Sequence, residues 1–71
     1  MAYTEMMETI MAADIDKYFD LLGKEHEMSR EEQFVMEQRV RGLYCDARND
    51  PGLREEWNAA AKRTGHADRV F

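Results

Sequence analysis

The tightest constraint on this chain lies in residues 28–48, MSREEQFVMEQRVRGLYCDAR. Ser29 is followed three residues on by Glu32, the spacing of a capping box. In that motif the serine oxygen accepts the glutamate N–H and the glutamate carboxylate accepts the serine N–H. Behind it Met36, Val40, Leu43 and Ala47 recur at spacings of 4, 3 and 4, one stripe of an α-helix. Such a helix must stop before Pro51, which lacks an N–H and disfavours α geometry in the residue before it. Asp50 and Pro51 can in turn cap and open a following helix. On the other side Gly23 is placed to end a first helix in a positive-φ conformation. The pattern predicts one all-α domain over 1–71, with three helices at about 4–22, 30–48 and 51–63 and a tail at 64–71. The link 24–28 is short, so the first two helices are expected to form an antiparallel hairpin on which the third packs.

The first of these helices carries an unusually wide apolar face. Tyr3, Met7, Met11, Ile15, Tyr18 and Leu22 form a stripe, and Met6, Ile10, Phe19 and Leu21 widen it to nearly half the circumference. A stripe that wide serves more than one neighbour. Four of the six methionines, Met1, Met6, Met7 and Met11, crowd its start, and flexible thioethers recur on adaptable binding surfaces. Thr4 is a suitable N-cap, and Glu5, Glu8, Asp16 and Asp20 occupy the opposite side. The net charge of −5 resides entirely in residues 1–28, because the eight acids from Ser29 onward are balanced by eight bases.

A chain of 71 residues buries too little surface to offset the entropy of ordering it by a wide margin, so a staple or a partner is expected. The single cysteine, Cys45, excludes an intrachain disulfide, and with two histidines it offers no zinc-ligand spacing. Self-association or partner binding is the remaining staple, and an oligomer is expected. The lone thiol fits a reducing compartment. No basic segment followed by an apolar one opens the chain, and no apolar run reaches the length of a membrane span. A cytoplasmic protein with no membrane contact is the expectation.

Few constellations resemble catalytic chemistry. Asp14, Asp16 and Asp20 lack the glycine of a calcium loop, with Phe19 at its sixth place and Glu25 at its twelfth, and inside a helical pattern they read as a solvated face. His26 and Glu27 lack the second histidine of a zinc-protease helix, since Arg30 stands there. Cys45 reads as a buried, inert thiol rather than a nucleophile paired with His26 or His66. No catalytic residue, metal ligand or cofactor is assigned. Arg39, Arg41 and Arg48 before a turn and a further helix loosely resemble a helix-turn-helix, but each arginine has an acid nearby, as Glu37 and Arg41 show.

The expected function is therefore non-catalytic: a small acidic interaction or regulatory protein. It would dock a protein partner or itself through Met7, Met11, Ile15 and Tyr18, flanked by Glu5, Glu8, Asp16 and Asp20. The alternative is an acidic inhibitor of the phage-encoded kind, whose acidic face imitates nucleic-acid phosphates in the groove of a nucleic-acid enzyme. A helix-turn-helix DNA binder is the third reading. Gly42, inside the middle helix, marks either a close neighbouring backbone or a local weakness. Trp57 is expected to anchor the third helix.

Overall fold

The computed structural model describes residues 4–71; Met1 and Tyr3, assigned above to the first helix, lie outside them. The protein is all-α, with no strand among the described residues. It has four α-helices there rather than three: α1 (Glu5–Met11), α2 (Ile15–Leu22), α3 (Arg30–Asn49) and α4 (Pro51–Arg63), with 3-10 turns at Glu25–Glu27 and Ala67–Arg69. None of the helices is long and apolar enough to cross a membrane.

The expected helix over 4–22 is broken at Asp14. Its backbone is extended, and its carboxylate accepts the Lys17 N–H at 2.9 Å, so Asp14 starts a new helix instead of continuing the old one. The break frees the carbonyl of Ala13, which accepts two hydrogen bonds from Arg39, at 3.0 Å from Nε and 2.7 Å from Nη2. A second tie joins the helix starts, where the Thr4 hydroxyl donates to Glu32 at 2.7 Å. The tie points advance together, Thr4 with Glu32 and Ala13 with Arg39, so α1 runs in the same sense as the first half of α3. From the level of Arg39 the chain must return to Ser29, about 15 Å back along α3. Helix α2 and the 3-10 turn make that return. The hairpin expected of one long first helix does not form: α1 runs along α3, and the returning α2 packs on α4.

The remaining elements follow local rules. Ser29 and Glu32 close the capping box, with Glu32 N–H to Ser29 Oγ at 3.2 Å and Ser29 N–H to the glutamate at 2.7 Å. Asp50 alone links α3 to α4, and its side chain accepts from Gly52 and Leu53 at the start of α4. Gly23 stays in the right-handed region (φ −66°), because the chain continues there into the 3-10 turn. The positive-φ terminator is Gly65 (φ 81°). There His66 N–H bonds the Ala61 carbonyl and Gly65 N–H bonds that of Lys62, the Schellman pattern that ends α4.

Ala47, Ala60 and Ala61 are almost wholly buried, and their small side chains let α3 and α4 approach closely. Trp57 is the nexus of the interior, with its ring 4.9 Å from Phe19, 5.7 Å from Tyr44, 5.8 Å from Phe71 and 5.9 Å from Tyr18. It thus anchors α4 on α2 as well as on α3. Its indole N–H donates to the Arg69 carbonyl at 2.8 Å, and the Phe71 N–H donates to Asn58 at 2.7 Å. These bonds strap the tail across the helices. Burial pushes the Tyr18 hydroxyl above the ordinary tyrosine value, against the opposing pull of nearby Arg69.

Two outcomes test this architecture. Replacing Arg39 by alanine should lower stability in urea unfolding by about 2 kcal/mol, the scale of charge-assisted hydrogen bonds. Replacing Arg41, exposed and paired only with Glu37, should change it by less than about 0.5 kcal/mol. Equal effects would show that the Ala13 tie does not hold the fold.

The second concerns acid. The Ser29 backbone N–H and then the Thr4 hydroxyl hold the Glu32 carboxyl below the usual glutamate range. A depressed folded value adds stability that is complete above the unfolded value of about 4.3 and is lost as pH falls through the folded one. Glu32→Gln should therefore flatten the acid limb of stability against pH, and an unchanged limb would count against the tie.

Candidate docking surface

The reversal at Asp14 decides which of the expected docking residues face solvent. Met7, Ile15 and Tyr18 are at most 3% exposed and belong to the interior, so they present nothing to a partner. Met11 is 56% exposed, at the end of α1. The wide stripe is covered because its two halves fold onto different helices, α1 onto α3 and α2 onto α4. The acidic face is divided as well. Glu5 and Glu8 are exposed on α1, whereas Asp16 and Asp20 meet Arg63 at 3.4 and 3.1 Å. Those carboxylates hold the Arg63 guanidinium above its ordinary value, Asp20 most strongly through its hydrogen bond. The sequence pairs none of these three residues, since Arg63 lies more than forty positions away.

Two of the three arginines singled out as a basic motif, Arg39 and Arg41, are also committed. Both Arg39 donors serve Ala13, and Arg41 pairs with Glu37 at 3.5 Å. The single-residue link between α3 and α4 is shorter than the three- or four-residue turn of a helix-turn-helix. Cys45 is exposed, contrary to its reading as a buried thiol. Leu43 and Ala47 take the core face of α3, and a residue two positions from each must point outward. The His66 ring lies 2.9 Å from the Thr64 hydroxyl and packs near Phe19. Among the described residues no group of His, Cys, Asp and Glu side chains could hold a metal ion.

What remains on the surface is apolar and sits along α3. Phe34 is 58% exposed and makes no ring contact among the described residues. Beside it a shallow hollow of about 380 Å³ is lined by Met11, Phe34, Val35, Gln38, Arg39 and Gly42. A Cβ built on Gly42 would meet nothing within 4 Å, so no neighbour within the chain requires this glycine. The second exposed cluster is Tyr44, Val70 and Phe71, but it is satisfied internally. Tyr44 stacks on Phe71 at 5.0 Å, and the Arg54 guanidinium covers the Phe71 ring at 6.0 Å. Phe34 was legible in the sequence: it precedes Met36 by two positions and so must lie opposite the core stripe. The hollow was not, because it needs the end of α1 beside α3.

No protein family model matches the chain, and neither the curated proteins nor the solved structures provide a match. The surface is therefore read on its own chemistry.

Because the space at Gly42 is open, Gly42→Ala should raise thermal stability by up to about 1 kcal/mol through helix propensity alone. A loss of stability in the isolated chain would mean that the glycine serves its own fold.

Proposed function

We propose that this chain is a non-catalytic interaction protein that docks through the outer face of α3, with Phe34 as the anchor. The observation that carries the reading is a large aromatic, unpaired with any ring and mostly in water, on the rim of an apolar hollow that the chain itself leaves unfilled. Buried aromatics at the centre of a patch dominate interface energetics, and exposed ones in such a place are where a partner gains most. Met7, Ile10, Ile15 and Tyr18 of the first two helices lie in the interior behind this surface. The hollows of the surface are open, and none presents a nucleophile beside a base, which favours binding over catalysis.

One observation favours a second reading, the acidic imitation of nucleic acid. The bond from Thr4 to Glu32 brings the start of α1 to the start of α3, pooling Glu5 and Glu8 with Glu31 and the acids of the 24–28 link at one end of the molecule. Such an end would attract a basic groove and accelerate association at low salt.

The two readings respond oppositely to two variants. With a photo-crosslinking residue at position 34, a specific adduct should form in extract of the source cell and persist at high salt, where exposed charges are screened. The same residue at position 62 should yield none. Phe34→Glu should abolish the association and leave helicity unchanged. If Glu5→Lys with Glu8→Lys abolishes it and Phe34→Glu does not, the acidic end is the docking surface.

A further inference from the structure

The docking face carries both a knob and a hole. Phe34 stands four residues before Gln38 and Gly42 four residues after it, so both flank Gln38 on one face of α3, about 12 Å apart along the axis. A glycine inside a 20-residue helix is destabilising relative to alanine, and nothing among the described residues uses the space it opens. Glycine does admit the close approach of a second backbone or ring from outside. A face with a projecting ring at one end and a matching notch at the other is self-complementary. If a second copy is turned end for end about a twofold axis at Gln38, each Phe34 lies over the other copy's Gly42.

We infer that the occupant of this face is a second copy of the chain, docked antiparallel through α3; the inference rests on the docking reading above and names its partner. Charge decides the direction. Residues 4–32 hold nine acids against three bases, net −6, and residues 33–71 hold six acids against seven bases, net +1. End-for-end pairing keeps apart the two acidic starts of α3, where Glu5, Glu8, Glu31 and Glu32 gather, whereas parallel pairing would set them together. A single helix face gives an interface at the small end of the specific range, so the dimer should dissociate in the micromolar range, on the order of 1–100 μM.

Sedimentation equilibrium of the full chain, combined with mild oxidation of cysteine variants, tests the proposal. The wild type should pass from monomer to dimer across the micromolar range, and Phe34→Glu or Gly42→Leu should weaken the dimer by about tenfold or more with helicity retained. For orientation, Gln38→Cys in a Cys45→Ser background should oxidise readily to a disulfide-linked dimer, because position 38 meets itself on the axis. Cys45 of the wild type, seven residues from the axis, lies about 21 Å along α3 from its counterpart and should not. Efficient oxidation through Cys45 but not through position 38 would overturn the antiparallel arrangement. A wild type that stays monomeric at several hundred micromolar (well above the expected range) overturns the second copy. If the residue-34 crosslinker still captures another protein in that case, the docking reading survives without this partner. If it captures nothing, both fall.

Discussion

Everything on the surface of this protein depends on two hydrogen bonds, from Nε and Nη2 of Arg39 to the carbonyl of Ala13. A carbonyl exposed by a helix break needs donors, and a guanidinium supplies two in a fixed fork. Once Arg39 holds Ala13 against α3, α1 must lie along the first half of α3 and α2 must turn back toward Ser29. That route buries Met7 against one neighbour and Tyr18 and Phe19 against another. It also leaves the opposite side of α3, with Phe34 and Gly42, facing water.

The second organising group is the aromatic cluster around Trp57. Offset and edge-on rings contribute beyond the area they bury, and four of them surround one indole. Arg69 links the cluster to the tail twice: its carbonyl takes the indole N–H and its guanidinium reaches the Tyr18 hydroxyl at 3.3 Å. The eight residues after α4 are thereby part of the fold. Phe71 stacks on Tyr44 of α3 and lies edge-on to Trp57.

The proposed docking reading rests on this division of labour. Met7 of α1 and the aromatics of α2 are structural, the acids of α2 are shared with Arg63, and α3 presents what is left together with Met11 at the end of α1. Because exposed ion pairs contribute little, the pairing of Asp16 and Asp20 with Arg63 matters less for stability than for the field. It weakens the acidic face around α2 and leaves the excess negative charge concentrated where α1 and α3 begin. A charge placed to one side of an apolar anchor orients whatever docks there.

The sequence by itself determined the elements whose signals are local. The capping box at Ser29 and Glu32, the stop and restart at Asp50 and Pro51, and the end of α4 at Gly65 all rest on hydrogen bonds within a few residues. The core stripe of α3 was legible for the same reason, and so was the place of Phe34 opposite it. Tertiary structure decided the break at Asp14. An aspartate four residues after Ile10 and one before Ile15 fits a continuous helix by spacing; its cap on the Lys17 N–H is local, but the bonds that satisfy the freed Ala13 carbonyl come from the distant Arg39. It likewise decided that Met7, Ile15 and Tyr18 are interior, that Asp16 and Asp20 meet Arg63, and that a hollow opens beside Gly42. Each of these joins residues tens of positions apart, where periodicity carries no information and only the path of the chain says which side chains meet.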